Sequence, residues 1–109
     1  MSWNARISVP SQAVAGDIVS IRTLISHPME TGFRRAPDGR PIPRDILVLF
    51  ECRFNQQLVF QGQLAPGIAA NPYLRFAFKA TESGTFEFLW RDQHGVEHRD
   101  QRQLQVTTG

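Results

Sequence analysis

Apolar and polar side chains alternate along most of this chain. In residues 17–26, Val19, Ile21, Thr23 and Ile25 share one phase. In 73–80, Leu74, Phe76 and Phe78 alternate with Tyr73, Arg75 and Lys79. In 85–91, Phe86, Phe88 and Trp90 alternate with Thr85, Glu87 and Arg91. A period of two marks a strand with one buried face. Shorter or less regular runs at 5–9, 46–54, 57–64 and 96–106 complete a set of seven expected strands. Turn residues separate them: SQAVAGD at 11–17, Asn55-Gln56, APGIAANP at 65–72, TESG at 81–84 and DQHG at 92–95. No window of ten or more residues carries a helical period. Short alternating strands with frequent turns predict an all-β, immunoglobulin-like β-sandwich of about seven antiparallel strands, forming a single domain over 1–109. A lone cysteine, Cys52, leaves no internal disulfide to brace it.

Two segments break the pattern. In 46–54 one face reads Ile46, Val48, Phe50, Cys52, Phe54, and the other begins Leu47, Leu49 before turning polar at Glu51 and Arg53. A sandwich strand normally keeps one face solvated. Leu47 and Leu49 pointing outward would need cover, either from the neighbouring loop or from a partner chain, with Val59 on the next strand as a neighbour. The second segment is the connection from His27 to Arg44. Connections between strands usually run about 2–6 residues, and this one is far longer. It holds His27, Met29, Arg34, Arg35, Arg40, Arg44 and four prolines. It reads either as a solvated loop with a tight turn at PDGRP (37–41) or as a contact surface. The arginines suit carboxylates and oxyanions, and the prolines with Ile42 favour order.

Composition narrows the classes. At 109 residues with 41% apolar content there is one core and not two. The net charge of +2 is too small to indicate nucleic-acid binding. No apolar run is long enough for a membrane span, and the N-terminus MSWNARISVP lacks a signal-peptide apolar region. Candidate chemistry is sparse, with no phosphate loop, HExxH, CxxC or GxSxG motif. His94 and His98 flank a turn, where they would meet only as a hairpin pair, with Asp92 or Glu97 completing a metal site. His27 is a candidate base without a nucleophile beside it, and His-Pro more simply ends a strand. Cys52 reads three ways: a buried free thiol, a disulfide to another chain in an oxidising compartment, or a nucleophile.

Three stretches carry a family likeness: ISHPMETGFR (25–34) with DGRPIPRDI (38–46), NPYLRF (71–76) and ATESGTFEFLW (80–90). Together they resemble the SoxZ family of the sulfur-oxidising Sox system, over nearly the whole chain. The resemblance implies an immunoglobulin-like subunit that is no enzyme, with no catalytic residue, cofactor or metal. It implies a heterodimer with SoxY, whose C-terminal Gly-Gly-Cys-Gly-Gly arm carries thiosulfate-derived sulfur, and transient contact with other Sox proteins. It implies a periplasmic location reached by export together with SoxY, and no nucleic-acid or membrane binding. On this reading Leu47, Leu49 and Val59 help cover SoxY, and the 27–44 loop faces the carrier arm or the Sox enzymes. A surface built for SoxY could also pair with itself, as a homodimer, when SoxY is absent. A general immunoglobulin-like interaction module without a sulfur role is the alternative.

Overall fold

The structure is a computed structural model that describes residues 3–64, 68 and 70–108. Eight strands form two sheets: β1 (Ala5–Ser8), β2 (Gln12–Val14), β3 (Ile18–Ile25), β4 (Leu47–Phe54), β5 (Gln57–Gln63), β6 (Tyr73–Lys79), β7 (Gly84–Asp92) and β8 (Glu97–Thr107). One sheet runs β1-β3-β6 and the other β2-β8-β7-β4-β5. The sandwich is the expected one, with one more strand. Pro10 ends β1, since it has no N–H to give a ladder. The chain then crosses sheets, and β2 pairs parallel with β8 while β1 pairs antiparallel with β3. The stretch 11–17, expected to be only a turn, therefore contains that extra strand.

The alternating positions meet between the sheets. Ile21 and Ile25 of β3 face Phe50, Phe54, Phe86, Phe88 and Trp90 of the larger sheet in one buried cluster. Aromatic rings pack at tilted angles through it: Phe54–Phe86 at 4.7 Å, Phe54–Phe78 at 4.9 Å and Phe50–Trp90 at 5.1 Å between centroids. Such pairs add about 0.5–1.5 kcal/mol each beyond simple burial. Phe60 of β5 stacks on Phe76 of β6 at 4.4 Å, closing the side of the sandwich where both sheets end.

The phase expected for β4 fails at its start. A bulge between Leu47 and Leu49 in the pairing with β7 gives β4 one extra residue. A one-residue insertion exchanges the two faces. Leu47 is therefore turned into the core with no exposure, and Val48 is only partly buried. Beyond the bulge the expected phase returns: Phe50, Cys52 and Phe54 point inward, and Leu49 stays half-exposed on the outer face.

Gly84 fits because of its neighbour. Asn55 and Gln56 turn β4 into β5 with φ of 49° and 71°, the left-handed pair a two-residue hairpin needs. The Asn55 side chain then reaches across to β7, accepting from Thr85 N–H at 3.0 Å and donating to the Ser83 carbonyl at 3.3 Å. A Cβ on Gly84 would stand 2.1 Å from Asn55 Oδ1.

Candidate partner-binding surfaces

The long connection between β3 and β4 is a folded hairpin. Glu30 and Asp45 exchange both backbone hydrogen bonds at 2.8 Å, Ile42 N–H donates to the Arg34 carbonyl, and Ala36 N–H donates to that of Arg40. Gly39, with φ of 88°, closes the turn on the Ala36 carbonyl. Gly32 lets the two limbs approach, since a Cβ there would lie 3.2 Å from the Arg44 Cβ. Prolines 28, 37, 41 and 43 deny it a regular ladder. Its middle and tip are open to solvent: Phe33 is 89% exposed, the most exposed large apolar side chain among the described residues.

Its root is buried and well connected. His27 is 2% exposed. Its Nδ1 accepts from Met29 N–H at 3.0 Å, which fixes the neutral tautomer with the proton on Nε2, 3.5 Å from Asp45 Oδ1. Burial holds the imidazole pKa below its usual value, against the opposing pull of Asp45 and Asp92. Asn71 brackets the same residue: its Oδ1 accepts from His27 N–H at 2.9 Å, and its N–H donates to the His27 carbonyl at 2.7 Å. Met29, with φ of 50°, is 4% exposed, and its sulfur accepts from Leu47 N–H. Gln93, from the β7–β8 turn, accepts from Arg44 Nε and Ile46 N–H. His27 and Met29 thus hold the hairpin to the sandwich and do not face a partner. The imidazole is closed to solvent, which removes it as a candidate base.

The hairpin arginines are less free than their sequence suggests. Arg34 makes a two-pronged contact with Glu30, and Arg40 Nε lies 2.6 Å from Asp38 Oδ2. Their hydrogen bonds hold both carboxyls below the usual carboxylate range, with the backbone N–H of Arg40 contributing most at Asp38. Arg35 binds the Gly39 carbonyl, and Arg44 binds the Gln93 amide. Among the described residues, Arg35 and Arg44 have no carboxylate partner. Phe33 went unremarked in the sequence because one apolar residue in a loop carries no sign of its exposure.

Elsewhere the candidates separate. On β5, Val59 is 38% and Leu58 45% exposed, so this edge, with Leu49, offers apolar surface. Leu47 does not, being in the core. Cys52 is fully buried opposite Phe88 and Phe60, and burial pushes its thiol up to about 12. A disulfide to another chain would require opening β4, and a thiol this hard to ionise is a poor nucleophile. His94 is exposed on its turn, while His98 packs on Trp90 at 5.7 Å. Asp92 Oδ1 is spent on the N–H groups of His94 and Val96, and Glu97 is clamped by Arg91 and Arg99. Among the described residues, no group of three or more His, Cys, Asp or Glu is arranged to hold a metal ion.

The model of one family, described as sulphur oxidation protein SoxZ, matches residues 7–103. This chain belongs to the SoxZ family. Membership gives a SoxZ chain a place in sulfur oxidation. Among solved structures, a superoxide reductase (neelaredoxin) from Ignicoccus hospitalis is 16% identical with a TM-score of 0.75. The match covers 94% of this chain and 80% of that one. The sulfur carrier protein SoxY from Chlorobium limicola f thiosulfatophilum is 15% identical with a TM-score of 0.67, over 94% of this chain and 78% of that one. A putative superoxide reductase from Thermotoga maritima is 14% identical with a TM-score of 0.75, over 94% and 85%. No curated protein matches the chain. These structural likenesses concern the fold of the SoxZ chain, which by itself assigns no chemistry.

Proposed function

We propose that this chain is the non-catalytic subunit of a sulfur-carrier complex. It pairs with a SoxY-type subunit, whose C-terminal cysteine arm carries thiosulfate-derived sulfur, and helps present that cargo to partner enzymes in the periplasm. Export occurs in company with the partner. The observation that carries this reading, beside family membership, is the β3–β4 hairpin: a rigidly rooted element that holds Phe33 in solvent. An apolar ring kept out of the core by a well-bonded support is the usual form of an interface anchor. Leu49 with Leu58 and Val59 adds apolar area at the β4–β5 edge. A pair that crosses a membrane folded should be apolar at its centre. Arg35 and Arg44, without carboxylate partners among the described residues, would meet the anionic sulfur group or acidic patches on enzymes.

Affinity capture of the tagged chain from periplasm, followed by intact mass measurement, tests this. An equimolar partner ending in Gly-Gly-Cys-Gly-Gly, with mass added at that cysteine, is expected. Recovery of the chain alone, or only as a pair with itself, would leave a general immunoglobulin-like interaction module as the better reading.

A further inference from the structure

The outer face of the β1-β3-β6 sheet differs in charge from the five-stranded sheet. On the five-stranded sheet, cations and carboxylates are matched: Arg53 with Glu51, Arg91 and Arg99 with Glu97, Arg102 with Asp100. On the three-stranded sheet the outward positions include Arg6 on β1, Arg22 on β3, and Arg75 and Lys79 on β6. All four are exposed, and among the described residues none has a carboxylate partner. The strands themselves carry no acidic residue.

The register sharpens this. Arg22 lies directly opposite Arg75. Side chains in such a pair start about 4.5–5.5 Å apart, and like charges there destabilise a sheet. Arg6 pairs with Leu24, one outward step along β3 from Arg22, which makes it a diagonal neighbour. Three guanidinium groups thus form a row across three strands. Ser20 Oγ accepts from Arg75 Nε at 3.0 Å, leaving that guanidinium's other N–H groups outward. Tyr73, 56% exposed, and Ile18, 66% exposed, stand on the same face. The groove beside the row, about 240 Å³ and lined by Arg6, Arg22, Leu24 and Tyr73, is shallow and open. A small anion there would keep most of its water and gain little. A broad surface of carboxylates would meet the whole row at once.

We propose that the outer face of the three-stranded sheet is a docking surface for a carboxylate-rich patch of another protein. The arginine row supplies charge-assisted hydrogen bonds, and Tyr73 and Ile18, towards the two ends of the β3–β6 pairing, supply apolar contact on either side of it, the mixture typical of specific interfaces. Carboxylates arriving at the row would offset the repulsion between Arg22 and Arg75 more fully than water and salt do. This docking is independent of the pairing proposed above, since it uses neither the hairpin nor the β4–β5 edge.

The test is a titration of the isotope-labelled full chain with a deca-glutamate peptide, followed by amide NMR shifts at low and moderate salt. Shifts should cluster at Arg6, Arg22, Tyr73 and Arg75. Arg22→Ala with Arg75→Ala should weaken binding about tenfold or more, as loss of two charge-assisted contacts implies, while Arg99→Ala on the opposite sheet leaves it unchanged. Tyr73→Ser should weaken it severalfold in a manner insensitive to salt. Arg22→Ala alone should raise thermal stability slightly, which shows that lost binding is not lost folding. Shifts centred on the hairpin arginines, or equal losses in the Arg99→Ala chain, would overturn the proposal. So would competition by equal charge concentrations of sulfate, or tighter binding of a DNA duplex than of the peptide.

Discussion

Replacing Phe33 by alanine separates folding from binding. The side chain is 89% exposed, so its removal should change the stability of the isolated chain by less than about 0.5 kcal/mol. Against a SoxY-type partner the same ring becomes an anchor. A phenylalanine buries roughly 150–250 Å², which at about 25 cal/mol per Å² is a gross gain of about 4–6 kcal/mol. Ordering the ring and imperfect packing consume part of that. A net truncation cost of about 2–4 kcal/mol remains, the range found for buried aromatic anchors. At 1.4 kcal/mol per decade, Kd should rise by about 30-fold to about 700-fold. Titration calorimetry of the pair, beside thermal melts of the chain alone, measures both quantities. A Kd within about twofold of the parent would remove Phe33 as an anchor. A fall in Tm of roughly 5 °C or more would show that the ring packs on its own chain, and the reasoning from exposure would be wrong.

The remaining predictions concern the support beneath that surface. Gly84→Ala forces the Asn55 side chain off β7, and its lost hydrogen bonds should cost about 2 kcal/mol, or roughly 10 °C in Tm. In an Asn55→Gly background the same change should be nearly neutral, and an unchanged penalty there would place the clash elsewhere. His27 has a depressed folded pKa, so the unfolded chain takes up its proton first as pH falls. Stability tied to His27 is thus fully present above the unfolded value of about 6.5 and drains away as pH drops below it towards the folded pKa. His27→Gln should flatten that decline in denaturant titrations between neutral and mildly acidic pH, and an identical slope in the variant would assign the decline to other groups. Cys52, with its pKa pushed up to about 12, should resist thiol reagents in the folded chain and react promptly in denaturant. Fast labelling under native conditions would contradict its burial.

Most of the fold was legible because a sandwich imposes period two on strands with one wet face. The alternation in β3 and β6 carried straight into more and less buried sides, and in β7 it held except at Leu89, which is buried on the opposite phase to Phe88 and Trp90. It failed where spacing carries no mark of geometry. The bulge at the start of β4 inserts a residue without any glycine or proline to announce it, so Leu47 turned into the core beside Ile46 and Phe50. The three-residue β2 is too short to alternate and exists because β8 offers it an edge. The internal pairing of the hairpin was hidden by its prolines, which read as loop residues, and by bonds as far apart as Glu30 to Asp45. His27 looked like a surface group, and only the fold revealed that Met29, Asn71 and Asp45 make it a buried fastening. Family likeness rested in part on residues of this same hairpin, whose Phe33 is the most exposed large apolar side chain among the described residues.

Hydrogen exchange on the chain alone and on its equimolar complex with a SoxY-type subunit tests the central claim most directly. The account predicts added protection in the amides of residues 30–44, around Phe33, and along the β4–β5 edge near Leu49 and Val59, with the outer face of β1-β3-β6 unchanged. Protection confined to other surfaces, or no stable complex to measure, would contradict it.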